Sequence, residues 1–271
     1  MPTYETLSVR SDGRVGHLTL ATPATRNAVS KKTLQELESA AHQFSADNSV
    51  DVVIISGEGP AFSAGADIAN FEEFLQVDMD GRPDFLAGAD HAFRLASAGQ
   101  RTIAALENMR PLTISKVQGY SVGAGALISG AADFRIMARD AFISIPETEI
   151  GTPLLWGGVP RLVSQIGALR AKDVILSCRR VHAAEALSVG LVTRLADADE
   201  LDQAVGHLVD ELLARPARVA QTTKQHINAL DVASRVADPT FADAHIGTAV
   251  WLDRESRSTA SHFARKFRGE S

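Results

Sequence analysis

The sequence predicts an α/β fold followed by a purely helical region. From about residue 50 to 195, short apolar strands alternate with turns and helices, an order that is typical of α/β domains. From about Asp197 onward only helical patterns occur, with apolar residues such as Leu201 on one face. We therefore expect a core region over residues 1–196 and a helical region over residues 197–271.

Composition narrows the possible classes of protein. The 271 residues are 45% hydrophobic and 22% charged, which is ordinary for a globular protein. The net charge of −6 argues against nucleic acid or an anionic membrane as a partner. No apolar run is long enough to span a membrane, and the N-terminus does not look like a targeting peptide. The single cysteine, Cys178, fits a reducing compartment, so we expect a cytoplasmic protein.

Individual elements follow from local patterns. Alternating apolar residues around a Ser11-Asp12-Gly13 turn predict an N-terminal hairpin over residues 4–22. Gly81 and Pro83 interrupt an acidic stretch, so residues 77–90 are predicted to be a loop. Strands are predicted over 51–57, 112–117, 133–138 and 141–145. Helices are predicted over 31–46, 67–76, 91–108, 159–167, 168–178, 199–214, 217–233, 241–254 and 257–268.

Two strand-to-helix turns consist almost entirely of small residues. In the second turn, Gly123 and Gly125 flank Ala124. A ligand atom can approach the backbone closely there, and the first N–H groups of a helix lack internal partners and attract negative charge. The first turn, Ala61–Ile68, has the same character, and Asp67 could cap its helix. One donor from each turn, Ala66 and Ala124, would make a site for a negatively charged oxygen. Tight packing alone explains either turn by itself.

The pair of turns resembles the crotonase (enoyl-CoA hydratase/isomerase) superfamily, whose two oxyanion-hole positions match Ala66 and Ala124. The segments from Pro146 through Gly158 and from His182 through Val192 follow the same pattern. The resemblance implies a crotonase-like spiral of repeated ββα units with a C-terminal helical trimerisation region. It also implies an acyl-CoA or enoyl-CoA thioester as the ligand, a homotrimer or dimer of trimers, and no cofactor, because coenzyme A is part of the substrate.

The resemblance also assigns acid/base roles. Crotonase-type hydratases use two glutamates, and the one that follows a proline matches Glu147. The other position is Leu127, which can neither bind nor polarise water. The sequence therefore favours isomerisation of a 3-enoyl-CoA to a 2-enoyl-CoA, which needs one carboxylate. Hydration is the alternative, with Glu149 as a second acid if the segment is extended and both glutamates share a face. A non-catalytic acyl-CoA-binding protein is a further alternative.

The same resemblance implies a set of ligand contacts. The backbone around Arg26 would hold coenzyme A, and Phe263 and Lys266 would contact its nucleotide, although Lys266 fits a solvated surface equally well. Trp156 fits either the acyl site or the core. The full set is Arg26, Ala28, Ala64, Ala66, Asp67, Ile68, Tyr120, Gly123, Leu127, Trp156, Phe263 and Lys266. The eight histidines show no metal-ligand spacing, so no metal is predicted.

Overall fold

The structure, a computed structural model, describes residues 3–67, 82–234 and 253–267, together with positions 243, 246, 247 and 250. The strands in these parts are β1 (Leu7–Asp12), β2 (Val15–Leu20), β3 (Val52–Gly57), β4 (Leu112–Val117), β5 (Tyr120–Val122), β6 (Phe134–Ala138), β7 (Phe142–Ser144), β8 (Val181–His182) and β9 (Arg194–Ala196). The helices are α1 (Lys31–Ala46), α2 (Arg82–Glu107), α3 (Ala124–Gly130), α4 (Gly158–Ile166), α5 (Ala168–Ser177), α6 (Ala183–Val189), α7 (Leu201–Leu213), α8 (Ala217–Ser234) and α9 (Arg254–Phe267).

Two sheets form the framework of the fold. The larger sheet has the order β1-β2-β3-β4-β6-β9, and all of its pairings are parallel except the β1–β2 hairpin. The smaller sheet has the order β5-β7-β8, with β5 parallel to β7. The α/β class expected from the sequence is confirmed. β3 is mostly buried on both faces, as expected of a strand inside a parallel sheet.

The helices that cover the large sheet share one hydrophobic core with it. α1 packs against α2, and the hydroxyl of Thr102 in α2 donates to the carbonyl of Leu34 in α1 at 3.1 Å. α1 has the predicted bounds because Ser30 caps it: the Ser30 side chain accepts the backbone N–H of Thr33 at 3.1 Å. These contacts fix α2, whose other side borders the site described below.

α2 begins earlier than predicted. Residues 82–90, predicted to belong to a loop, are helical, and α2 starts at Arg82 rather than at His91. Pro83 lies in the first turn of the helix, where its missing N–H would have no intrahelical acceptor in any case. The prediction treated this proline as a breaker, although at a helix start it is a favourable residue. The predicted helix 67–76, beyond Asp67, lies outside the described residues, as does most of the predicted helix 241–254.

α7 joins the helical region to the sheet. Its buried residues Leu201, Val205 and Leu208 belong to the same core as the strands, and the helix packs against β3, β4, β6 and β9. The predicted boundary at 196/197 stays a prediction, and the hydrophobic core continues past it. Among the described helices, none combines the length and the apolar composition needed to cross a membrane.

Candidate active site

The first small-residue turn runs beside the loop that precedes α1. The Val29 N–H donates to the Gly65 carbonyl at 2.8 Å, and the Asp67 N–H donates to the Val29 carbonyl at 3.0 Å. In such a parallel pairing, the residue between the two bonded neighbours turns its own N–H to the opposite side. The N–H of Ala66 therefore points away from Val29, and Ala66 lines the large cavity of the protein.

The side chain of Asn27 hydrogen-bonds this loop to the chain segment that precedes Ala66. It has a left-handed backbone with a φ of 57°, which asparagine tolerates better than most residues. Its side-chain carbonyl accepts the Thr22 N–H at 3.1 Å, and its amide donates to the carbonyls of Glu58 at 2.8 Å and Ala61 at 3.0 Å. Asn27 is buried, so each of these bonds is shielded from water. The sequence predicts a role for the backbone of this loop but not for the Asn27 side chain.

The second turn ends β5 and begins α3. Gly123 has a φ of 49° and a ψ of −115°, a conformation that suits glycine. Its N–H donates to the Ser144 carbonyl at 2.9 Å, and its carbonyl accepts the Leu127 N–H at 3.1 Å. Ala124 is the first residue of α3, so its N–H has no acceptor within the helix and lies at the positive end of the helix dipole.

The two turns are hydrogen-bonded to each other. The Val122 N–H donates to the Ser63 carbonyl at 3.1 Å, and the Ser63 N–H donates to the Tyr120 carbonyl at 3.2 Å. Ser63 and Ser121 form a parallel β-bridge. This pairing brings the segments that carry Ala66 and Ala124 side by side, and both residues line the same cavity.

The cavity has a volume of about 750 Å³, a size that is typical of ligand sites. Most of the predicted ligand contacts line it: Arg26, Ala28, Ala64, Ala66, Asp67, Gly123, Ala124, Leu127, Glu147, Trp156 and Phe263. The lining residues that were not predicted from the sequence are Ala24, Thr25, Gly65, Leu95, Ala96, Val122, Pro146, Ile150, Thr152, Pro153, Leu154 and Leu155. Several of these directly precede or follow a predicted contact, and that adjacency is the signal that could have found them.

Glu147 places a carboxylate against the second turn. A methyl group on Gly123 would lie 2.6 Å from Oε1 of Glu147, so the carboxylate packs directly against this turn, and the φ of 49° at Gly123 favours glycine. Oε2 is shielded from solvent and has no hydrogen-bond partner within the described parts of the chain. Desolvation raises the pKa of Glu147 to about 7, while a hydrogen bond from its own backbone opposes the rise. Glu147 can therefore both accept and release a proton near neutral pH.

Glu149 lies on the other side of its segment. The Ile150 N–H donates to the Pro146 carbonyl at 3.1 Å, and the Thr152 N–H donates to the Glu147 carbonyl at 2.9 Å, so the chain turns there instead of extending. Glu149 is exposed and does not line the cavity. The segment is not extended, so Glu147 and Glu149 do not share a face.

Two further predicted contacts, Tyr120 and Lys266, do not line the described cavity. Tyr120 stacks on Phe142 with ring centroids 5.6 Å apart. Lys266 is exposed on α9. Ile68 lies outside the described residues. Neither the Tyr120 nor the Lys266 side chain is among the residues that line the cavity with Glu147.

Trp156 forms part of an apolar wall of the cavity. It is buried, it lines the cavity, and a methyl group on Gly99 of α2 would lie 2.1 Å from Cε2 of its ring. Trp156 therefore packs in the core and lines the cavity at the same time. Arg161 holds the turn by donating to the carbonyls of Trp156 and Gly157, each at 3.1 Å. Arg161 also pairs with Glu107 of α2 at 2.7 Å, which ties the wall to the helix behind it.

The fold and the cavity together define an α/β protein in which Ala66, Ala124 and the buried Glu147 carboxylate line one ligand-sized cavity. Residues 10–244 match the family described as enoyl-CoA hydratase/isomerase, and the chain belongs to that family. The resemblance seen in the sequence is confirmed, and so is the crotonase fold. The roles of the individual site residues remain predictions.

Named relatives and solved structures agree with this assignment. The chain is 33% identical over 226 residues to a protein of Rhizobium meliloti described as a probable enoyl-CoA hydratase, covering 83% of this chain and 82% of that one. An enoyl-CoA hydratase from Mycobacterium avium subsp. paratuberculosis has a TM-score of 0.82 at 26% identity, with 97% of each chain covered. A Thermobifida fusca protein in complex with acetoacetyl-CoA has a TM-score of 0.74 at 30% identity, covering 97% of this chain and 94% of that one.

Proposed function

We propose that this protein moves the double bond of a 3-enoyl-CoA to give the 2-enoyl-CoA, with Glu147 as the one acid/base group. The Glu147 carboxylate takes a proton from C2, and the thioester oxygen receives the charge of the resulting dienolate. The N–H groups of Ala66 and Ala124 hold that oxygen. Protonated Glu147 then returns the proton at C4, so the substrate leaves with the same atoms and a moved double bond.

The contrast between Glu147 and Leu127 is the observation that carries this proposal. Both line the cavity, and Leu127 lies about one helical turn after Ala124. A second carboxylate at that point would help to bind and polarise water, whereas leucine presents only methyl groups. A single carboxylate with a pKa of about 7 is suited to accept a proton and give it back.

The two backbone donors supply the electrostatic part of the proposed reaction. The charge on the thioester oxygen grows as the proton leaves C2, so each donor binds the dienolate more strongly than the substrate. Removal of one such donor from an enzyme typically costs about 3 kcal/mol of transition-state stabilisation. Because backbone atoms donate, alanine serves at both positions without any polar side chain.

Hydration of a 2-enoyl-CoA is the second candidate. The names of the relatives support it, since the Rhizobium meliloti protein and a 35% identical Mycobacterium tuberculosis protein are both described as probable enoyl-CoA hydratases. In this chain, Glu147 would have to activate the water without the exposed Glu149 and without a carboxylate at position 127. These departures favour isomerisation.

Reaction of the purified protein with both substrate types in D₂O tests the proposal. We expect a 3-enoyl-CoA to yield the 2-enoyl-CoA, with deuterium at C2 or C4 of the recovered thioesters. We expect little 3-hydroxyacyl-CoA from a 2-enoyl-CoA. Rapid hydration without isomerisation would overturn the preference for an isomerase. Absence of both isomerisation and proton exchange at C2 would overturn enolate chemistry altogether.

We further propose that the coenzyme A part of the substrate passes between the Arg26 loop and α9. Arg26, Ala28 and Phe263 line that part of the cavity, and Lys266 lies three residues after Phe263, on the same side of the helix. The Thermobifida fusca protein has also been crystallised with CoA, at 30% identity to this chain. No cofactor other than the CoA of the substrate is required. Competition between free CoA and the enoyl-CoA substrate checks this placement.

Self-assembly is a separate proposal that rests on exposed apolar side chains. Leu169 is 83% exposed and Leu176 is 65% exposed on α5, and Val219 and Leu230 are similarly exposed on α8. Such exposed apolar side chains are typical of surfaces between subunits. We propose a trimer or a dimer of trimers. Light scattering that gives the mass of a monomer at micromolar concentration would contradict this, and Leu169→Lys is expected to weaken the assembly.

A further inference from the structure

We propose that Ser63 is a positioning residue that sets the distance and orientation between the two backbone donors, Ala66 and Ala124. The inference rests on the proposed enolate chemistry, because only a negatively charged oxygen needs both donors at once. Ser63 makes no proposed contact with the substrate and does not line the cavity. It acts through its neighbours on both turns.

Toward the first donor, Ser63 acts through its hydroxyl. Oγ donates to the Asn27 carbonyl at 2.7 Å and accepts the Gly65 N–H at 3.2 Å. Gly65 directly precedes Ala66, and its φ of 100° sets the direction in which the chain continues. The side chain of Ser63 is fully buried, so these two hydrogen bonds do not compete with water. The Ala66 peptide is thereby held against the Asn27 loop.

Toward the second donor, Ser63 acts through its volume. A methyl group on Gly125 would lie 2.7 Å from Cβ and 2.9 Å from Oγ of Ser63, so the first turn of α3 rests directly on this serine. Gly125 immediately follows Ala124. The Ser63 carbonyl also accepts the Val122 N–H at 3.1 Å, just before the turn begins. One side chain therefore touches the neighbour of each donor and spaces the two turns.

Loss of the hydroxyl should disturb the donors more than the fold. Ser63→Ala leaves the β-bridge to Ser121 in place, since that bridge uses backbone atoms. It frees the Gly65 N–H and removes one contact with α3. A small misplacement of reacting groups is enough to lower a rate strongly. We expect kcat to fall by roughly tenfold, less than the effect of losing a whole donor.

The test compares Ser63→Ala with Ser56→Ala as a matched control. Ser56 is also a buried serine, and its side chain hydrogen-bonds the Thr19 hydroxyl at 3.0 Å and not a residue of either turn. We expect Ser63→Ala, and not Ser56→Ala, to lower kcat and to weaken binding of acetoacetyl-CoA in its enolate form by similar factors. Binding of butanoyl-CoA, which carries no charge on its acyl oxygen, should change by less than about twofold.

Gly125→Ala changes the contact between Ser63 and α3 from the α3 side, and it is the alternative variant if Ser63→Ala fails to fold. Its added methyl group pushes α3 away from Ser63, so we expect the same selective loss of enolate binding. Equal losses for both ligands, or no difference between Ser63→Ala and Ser56→Ala, would overturn the positioning role. Binding of the two ligands needs no turnover, so it decides the role of Ser63 even if the wild-type protein exchanges no proton at C2 and the proposed function fails.

Discussion

The cavity has two sides that are built on different principles. The donor side presents the backbone N–H groups of Ala66 and Ala124 with the Glu147 carboxylate beside them. The other side, called the acyl wall here because we propose that the acyl group lies against it, presents apolar side chains, among them Leu127 and Trp156. The donor side depends on the path of the backbone, whereas the acyl wall depends on side-chain volume. Substitutions on the donor side should therefore change the rate of the chemical step, and substitutions on the acyl wall should change which acyl groups bind.

Glu147→Gln is the strongest test of the donor side. An amide cannot take the proton from C2, so we expect kcat to fall by about 10² to 10⁴-fold. Binding of a saturated acyl-CoA should stay within a fewfold of the wild type, because the amide has nearly the same shape. Steady-state kinetics and calorimetric titration provide the two measurements.

Glu149→Gln is the matched control for this prediction, since it makes the same change on an exposed residue of the same turn. It should retain wild-type kcat. Full activity in Glu147→Gln would remove Glu147 from the mechanism, and a large loss in Glu149→Gln would make Glu149 part of it.

The free energy of unfolding should also depend on whether the buried Glu147 carboxylate is ionised. The pKa of Glu147 is raised to about 7 in the folded state, so the folded state holds the proton more tightly than the unfolded state. The contribution of Glu147 to the free energy of unfolding is fully present below its ordinary pKa of 4.5. It falls by about 3 kcal/mol as the pH rises to 7. Glu147→Gln should therefore be more stable than the wild type at pH 8 and gain little at pH 4. Urea unfolding at both pH values measures this, and an equal gain at both would contradict it.

The pH dependence of kcat/KM should also follow the ionisation of Glu147. In the free enzyme Glu147 must be ionised to act as a base, so kcat/KM should fall about tenfold for each pH unit below 7 and level off above it. A pH profile of the isomerase reaction checks the slope. A flat profile between pH 5 and 8 would show that the carboxylate is not the titrating group.

Trp156→Phe tests the acyl wall and should have the smallest effect. The smaller ring leaves space beside Gly99, so we expect the preference for longer or bulkier acyl groups to rise by about tenfold, chiefly through KM. Phe44→Leu is the control, because it removes an aromatic ring from the core away from the cavity. A change in kcat without any change in acyl preference would erase the distinction between the two sides.

The sequence predicts those parts of the molecule that local patterns determine. Ser30 marks the start of α1 because a cap acts within three residues. The glycines around Ala124 mark the second turn because helix starts and left-handed residues are local features. Family resemblance then supplies the partner turn and Glu147, which local patterns alone do not connect.

What the sequence did not predict depends on position within an element or on distant contacts. The start of α2 at Arg82 depends on where Pro83 falls in the helix, because a proline is favourable in the first turn and disruptive farther along. The outward direction of Glu149 follows from a turn between Pro146 and Thr152 that single residues do not reveal. The side chains of Asn27 and Ser63 gain their importance from segments that lie more than thirty positions away.

The packing of Trp156 on Gly99 has a practical consequence for anyone who wishes to make this protein more heat-resistant. Replacing a glycine inside a helix by alanine is a standard way to gain about 1 kcal/mol, and Gly99 lies inside the long helix α2. Here the added methyl group would lie 2.1 Å from Cε2 of the indole ring. Such a substitution would force the indole ring or the helix to shift, and it would reshape the cavity that Trp156 lines.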